Sequence, residues 1–421
     1  MNLVKTSIFS AITTIIRVAS GFVSNKIVAI FAGASGVAIV GAFSNFITIV
    51  LTFANGAINT GVVKYTAEFD GDEEKLKFLF STSFKITFYC SVIIGLILGT
   101  SASYWSILIF MNKVYEVPIR VFGFTVILYA LNSLLISILN GKKQIAKYTI
   151  VNSLGSIIGL VFTVILVYLY KIEGALYAMV LSQSIIFFVT FALIIKSSWF
   201  NKEYFNKKFD KTKAIQLSHY SLMALVSALT VPVSQLLIRN ILINKFGINE
   251  AGYWQGMMRI SDAYLMIITT SLSTYFLPKL SSMKDDKEIK NEVFKGYKLI
   301  IPLVGISCLL IYLLRFPLIK ILFTQDFISM EKLFYWQLLG DFFKMISWVL
   351  AYIMLAKAMT KMYVFSEILF NIGYVFLGYV LTILFHLQGA VIAFALTYFL
   401  YLIFMMFVFR KLLFNSKVNL S

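Results

Sequence analysis

The chain has 421 residues, 60% hydrophobic and only 13% charged, with a formal net charge of +18. A soluble domain is nearer 45–50% apolar and about 25% charged, so composition excludes a soluble globular protein and predicts an all-α polytopic membrane protein. The apolar runs reach about 20 residues or more, too long for soluble core helices and without the roughly ten-residue alternation of a membrane barrel. In hydrocarbon each run must satisfy its own backbone polar groups, which makes it a helix.

In a soluble protein a charge of +18 would point to nucleic acid. Here the basic residues cluster in short loops between apolar runs, so no nucleic-acid partner is expected. Cys90 and Cys308 both lie within apolar runs, and neither a disulfide framework nor a metal site is indicated. The first run begins near Ile8, contains Arg17 and lacks a cleavage site, so it reads as a retained anchor.

About twelve spans follow in order, near 8–31, 37–63, 78–100, 119–140, 148–170, 174–195, 214–243, 252–278, 299–323, 331–356, 363–385 and 388–409. One set of ends and loops carries Lys5, Lys64, Lys75, Lys77, Lys142, Lys143, Lys147, Lys196 to Lys213, Lys279 to Lys298, Lys357, Lys361 and Arg410 to Lys417. The alternate set holds little more than Lys113, Lys171 and Lys245. The positive-inside rule then puts both termini in the cytoplasm, as an even number of spans also requires.

The stretch 196–213 is the longest polar connection near the midpoint and reads as a solvated basic linker on an anionic leaflet. The expected organisation is a six-helix bundle over 1–198, a cytoplasmic linker over 199–213 and a second six-helix bundle over 214–421. The halves resemble each other at an offset of roughly 214 residues: Asp72 and Glu74 align with Asp286 and Glu288, and Lys26, Gly33 and Gly36 with Arg239, Gly247 and Gly252. Six spans per half give a parallel repeat, and transporters built this way keep their site between the halves. A central cavity there is the expectation.

Charges at membrane depth are costly, about 2.5–3.5 kcal/mol on insertion scales, and survive where they face protein or water. Arg17 lies roughly 15 Å into the first span at about 1.5 Å per residue. Arg259 and Asp262 are three residues apart within 252–278, and Asp341 and Lys344 are three apart within 334–356 with Trp348 on the same stripe. Such spacing allows each acid to pair with its base. Arg17, Lys26, Arg259 and Lys344 are therefore the candidate cationic lining of a cavity for an anionic group, and Asp262 and Asp341 are candidate ion-coupling or structural acids.

Lys26 and Arg239, near outer helix ends, can snorkel. Arg17 and Lys26 lie on opposite faces of an ideal helix, and a bend at Gly21 would be needed for both to line one cavity. Asn45, Asn55, Asn59, Gln255 and Gln337 are candidate sugar contacts, with Asn55 and Asn59 four apart on one helix face. His219 and His386 read as interfacial residues.

No hydrolase, kinase, phosphate-loop or zinc pattern occurs, so neither an enzyme nor a cofactor is expected. The cation count exceeds the acid count by one (Arg17, Arg259 and Lys344 against Asp262 and Asp341), which argues modestly against a multidrug or cation antiporter. The short outer loops argue against a membrane-embedded polysaccharide polymerase.

GYWQGMMRISDAYL at 252–265, FYWQLLGDFFK at 334–344, KTSIFSAITTIIRVASGFVSNKIVAIFAG at 5–33 and NTGVVKYTAEF at 59–69 resemble the Wzx-type flippases of O-antigen and enterobacterial common antigen. These form the polysaccharide-transport branch of the superfamily that also holds multidrug and toxic-compound extruders. The resemblance covers nearly the whole chain. It implies two six-helix bundles around a central cavity, and a substrate of undecaprenyl-pyrophosphate-linked oligosaccharide moved from the cytoplasmic to the periplasmic leaflet of the bacterial inner membrane by alternating access. It further implies a polysaccharide polymerase and a chain-length regulator as candidate partners, and matches Arg17, Lys26, Asp262, Asp341 and Lys344 to charged positions of the family.

Overall fold

The computed structural model describes residues 3–283, 285–357 and 359–414; within them the side chains of 3–11, 218–221 and several positions between 267 and 278 are not described, so the side chain of His219 lies outside the described residues. Among the described residues every regular element is helical: α1 Leu3–Ala54, α2 Asn59–Glu68, α3 Glu73–Thr100, α4 Ala102–Phe110, α5 Glu116–Gly141, α6 Ile145–Ile194, α7 Lys202–Phe205, α8 Lys211–Phe246, α9 Ile248–Ser271, α10 Leu277–Ser282, α11 Asp286–Leu313, α12 Arg315–Leu322, α13 Phe334–Ala356, α14 Thr360–Val408 and α15 Arg410–Phe414. Eight described elements are long and apolar enough to cross a membrane. Three of them, within α1, α6 and α14, are interrupted at Gly33, at Lys171 and at Phe385–His386. Each of the three is long enough for two passes of a ~30 Å core at about 1.5 Å per residue. That makes eleven passes, and the more polar α9 makes twelve.

Three expected boundaries move. The span expected over 37–63 stops at Ala54, because Gly56 (φ 60°) and Ala57 (φ 53°) turn the chain before α2 begins. Asn55 and Asn59 therefore flank a turn and do not share a helix face. The span expected over 299–323 begins at Asp286 and ends at Leu313. The apolar run continues past a turn at Leu314 into α12, so Arg315, Lys320 and the nearby Lys332 join the sparser of the two sets of loop charges. The loop asymmetry shrinks but keeps its sign. The third change concerns α1, which keeps helical dihedrals through Gly21 and breaks at Gly33 (φ 63°, ψ −163°), a conformation open to glycine alone. Arg17 and Lys26 thus stay on opposite faces.

The order of elements repeats. α3 and α11 are each 28 residues long, and each starts on an aspartate N-cap: Asp72 accepts from the Lys75 amide and Asp285 from the Lys287 amide. Gly33 and Gly247 both carry positive φ, 214 residues apart. Lys171 (φ 51°) and His386 (φ 53°) break α6 and α14 in the same way. Three residues after each comes a glycine, Gly174 or Gly389, whose added Cβ would lie 1.8 Å from the Leu166 carbonyl oxygen or 2.2 Å from that of Leu381. The strings KIEGA and HLQGA that make these turns are 215 residues apart.

Contacts divide the chain into two compact units, Met1–Ala32 with Ile39–Pro232, and Gly33–Ala38 with Val233–Ser421. The first packs Val62, Leu79, Phe80, Ile138, Leu139 and Val151 in its interior. The second packs Val293, Met345, Val349, Leu350, Ile353 and Met405. Apolar burial gives little drive against lipid tails, so close packing and interhelical hydrogen bonds carry the association.

The connection after α6 is not the solvated linker that its composition predicts. Trp199 and Tyr204 are buried, and Phe80 of α3 packs against Trp199, Tyr204 and Phe205. The alternation of lysine with aromatic residues hid this, because the rings turn inward while most lysines stay outside.

Candidate functional site

Within the second unit, α9 and α13 meet through one polar cluster. On α13, Gln337, Asp341, Lys344 and Trp348 fall at helical spacing on one stripe. On α9, Ser261 and Tyr264 fall on one face. Asp341 is fully buried, with no exposed area. Its carboxylate accepts from the Ser261 hydroxyl at 2.6 Å to each oxygen, from the Tyr264 hydroxyl at 2.7 Å and from Gln337 Nε2 at 3.2 Å. The Tyr264 hydroxyl also lies 3.6 Å from Cys308 Sγ of α11, whose thiol reaches the Leu338 carbonyl at 3.6 Å.

The expected pairing of Asp341 with Lys344 is not formed: among the described residues no ion pair within 4 Å includes either. Uncharged donors from α9 and one turn of α13 surround the carboxylate. The Lys344 ammonium instead lies over the rings of Trp348, Phe394 and Tyr398, at 5.1, 5.7 and 5.5 Å from their centroids. Three aromatic faces offer a cation a quadrupolar seat without a counter-charge.

Arg259 and Asp262 likewise form no ion pair with each other among the described residues. With Gln255 they occupy the face of α9 opposite Ser261 and Tyr264. Gln255 is buried, Arg259 half-buried and Asp262 exposed. The helix is thus polar on two sides, one closed around Asp341 and one carrying a separate acid and base.

The remaining candidates are scattered. Arg17 is exposed and Lys26 half-buried. Asn45 is half-buried, Asn55 buried, and Asn59 donates from Nδ2 to the Ser133 hydroxyl of α5 at 2.8 Å. Arg239, expected to snorkel, is 1% exposed and donates from Nη2 to Asn240 Oδ1 at 2.9 Å. Sequence reasoning missed Tyr264 and read Cys308 only as a residue within an apolar run. A tyrosine three residues after the serine on a helix that already carries charge was the available signal.

The repeat supplies an internal control. The positions of the first unit that align with Ser261, Tyr264, Gln337 and Asp341 are Ile47, Val50, Phe122 and Val126, all buried and apolar. Phe122 there packs against Phe43 and Phe46. At these four positions the first unit is apolar, so the cluster around Asp341 has no polar counterpart there.

Residues 39–332 match the sequence profile of a family described as polysaccharide biosynthesis protein. The lipid III flippase of Escherichia coli (strain K12) is 31% identical over 368 residues, covering 87% of this chain and 88% of its own.

The chain belongs to the polysaccharide biosynthesis protein family.

The lipid III flippase of Shigella flexneri matches to the same extent. Among solved structures, an inward-facing multidrug-resistance transporter of the MATE family aligns with TM-score 0.76 at 15% identity, over 96% of both chains. The lipid II flippase MurJ, in an inward closed conformation, aligns with TM-score 0.69 at 19% identity, over 98% of this chain and 90% of its own. These likenesses show the fold, one shared with a MATE-family transporter and with MurJ.

Proposed function

We propose that this member of the family is a flippase for a polyprenyl-pyrophosphate-linked oligosaccharide, moving it from the cytoplasmic to the periplasmic leaflet of the bacterial inner membrane. The observation that carries the reading is the 31% identity over 87% of the chain to lipid III flippase. The relatives named are transporters, and no covalent step is needed to move a headgroup across a bilayer. Both termini face the cytoplasm in this reading, on the side of the lysine-rich loops.

The chemistry is consistent with such a substrate. A pyrophosphate is anionic and needs cations in a low-dielectric setting, for which Arg17, Lys26, Arg259 and Lys344 are the candidates. Sugars need amides and ring faces, for which Asn45, Asn55, Asn59, Gln255 and Gln337 are the candidates. Transport in this reading proceeds by alternating access. Asp341 is the coupling acid: a buried carboxylate ringed by neutral donors can bind and release a proton or cation and so report on the gradient, with Asp262 a second, more accessible acid. A polysaccharide polymerase and a chain-length regulator would act on the exported product.

Deletion with complementation tests this, read as both surface polymer and accumulated lipid-linked unit. Loss of surface polymer with single units trapped on the cytoplasmic side is the expected result. Single units that reach the periplasmic face unpolymerised would sink the flippase reading and point to a polymerase.

A further inference from the structure

The connection between α6 and α8 is a two-sided strap. Its inner side is fixed to α3. Ser81 donates to the carbonyls of Phe205 and Lys207, at 3.1 and 2.6 Å, and Lys85 Nζ donates to the Lys207 carbonyl at 2.6 Å. Thr82 accepts from the Asp210 amide at 3.2 Å. Lys207 Nζ reaches Glu74 at 3.0 Å, and Lys77 bridges Glu74 and Glu203 at 3.1 and 3.3 Å. The hydrogen bonds from Lys207 and then Lys77 hold the Glu74 carboxyl below the usual carboxylate range.

The outer side differs in charge. Both strap acids are committed: Glu203 to Lys77, and Asp210 to the first turn of α8, where it accepts from the Thr212 and Lys213 amides at 2.8 and 3.2 Å. Lys202, Lys208 and Lys211 are exposed. Among them Phe209 is 48% exposed, a large ring left outside while its neighbours Trp199 and Tyr204 are buried. The strap also lies at a defined depth. Lys85 is the last charged residue of α3, with none following before Lys113, so the strap crosses one turn from the start of the hydrocarbon run.

We propose that this strap is a binding surface for the anionic phospholipid headgroups of the cytoplasmic leaflet. Lys202, Lys208 and Lys211 take the phosphates and Phe209 enters the headgroup–acyl boundary. Each lysine near an anionic surface contributes roughly five-fold in partitioning, and an aromatic ring among basic residues is the composition of interfacial segments. Because the strap is bonded along α3, the contact ties the first unit, not a loose tether, to the leaflet. The inference uses the cytoplasmic orientation of the proposed function and is independent of the substrate.

The test uses the full chain with Cys90→Ser and Cys308→Ser, carrying either Phe209→Cys or Asn206→Cys. Orientation comes first. An impermeant maleimide should label Cys at 206 in inverted membrane vesicles and not in intact spheroplasts; the reverse would place the strap outside and overturn the proposal. A nitroxide at 209 is then read in nanodiscs by collision with oxygen and with a water-soluble nickel chelate. With phosphatidylglycerol present, the oxygen-to-nickel ratio should rise several-fold over pure phosphatidylcholine, and Lys202→Gln/Lys208→Gln/Lys211→Gln should abolish the rise. An unchanged ratio in the two lipids would overturn the proposal. So would a rise caused by a polyprenyl diphosphate in phosphatidylcholine but not by phosphatidylglycerol, which would make the surface a dock for substrate.

Discussion

Asp341 concentrates the functional question in one side chain. A fully buried carboxylate that forms no ion pair within 4 Å among the described residues is expensive, and three neutral donors converge on this one. Interhelical hydrogen bonds in membranes are worth about 0.6 kcal/mol on average and about 1.7 at most, whereas bonds to a charged group in proteins reach about 1.5–3. Tyr264→Phe removes one donor and leaves the carboxylate two, so it should cost about 1–2 kcal/mol in a thermal or denaturant melt of the purified protein. Asp341→Ala should cost more, because it strands the Ser261, Tyr264 and Gln337 donors at once. Equal losses for the two variants would mean that the cluster is not closed around the carboxylate. Spacing alone gave the stripe on α13 and the depth of the acid. It gave the wrong partner, because the nearest base in sequence sits one turn away over aromatic rings, while the true donors come chiefly from a helix nearly eighty residues earlier.

Helices and turns were readable to different degrees. Apolar length and loop charge are local quantities, so the passes and the asymmetry of the loops could be counted from the chain. Where a helix stops is decided by one or two residues, and apolar turns such as Leu314 carry no signal that distinguishes them from a span. The paired breaks at Lys171 and His386 show this. Each adopts positive φ with ψ near −121° and −138°, a conformation that favours glycine and costs other residues about 1–3 kcal/mol. The glycines that permit the turn stand three residues later, pressed on the carbonyls of Leu166 and Leu381. Lys171→Gly and His386→Gly should therefore each stabilise the protein by about 1 kcal/mol, seen as a raised melting temperature. Gly389→Ala should destabilise strongly, since backbone blocks its Cβ. A melting temperature lowered by His386→Gly would show that the imidazole, packed on Phe246, matters more than the strain.

The repeat turns these local findings into an argument about transport. Two halves with the same succession of elements have no structural need for different interiors, yet one crossing holds Ile47, Val50, Phe122 and Val126 and the other holds Ser261, Tyr264, Gln337 and Asp341. Stability would favour the apolar version in both, because replacing buried charge by well-packed apolar groups is often neutral or stabilising. Retention of the acid at this crossing in only one half fits the proposed coupling role, in which one unit exchanges an ion and the aligned apolar positions of the other do not. Asp341→Asn keeps the size of the side chain and removes its titratable charge, while turning one acceptor oxygen into an amide donor that must find a hydroxyl of Ser261 or Tyr264 to accept from it. In proteoliposomes loaded with a fluorescent lipid-linked oligosaccharide, the wild-type rate should fall when the proton or sodium gradient is collapsed. The Asp341→Asn rate should be low and the same with and without the gradient. Val126→Ala, at the aligned position, should lower the melting temperature through its cavity yet preserve the gradient response. Full gradient stimulation in Asp341→Asn would assign the coupling to another acid, with the exposed Asp262 on the opposite face of α9 next in line, and would leave the buried cluster as a clamp between two helices.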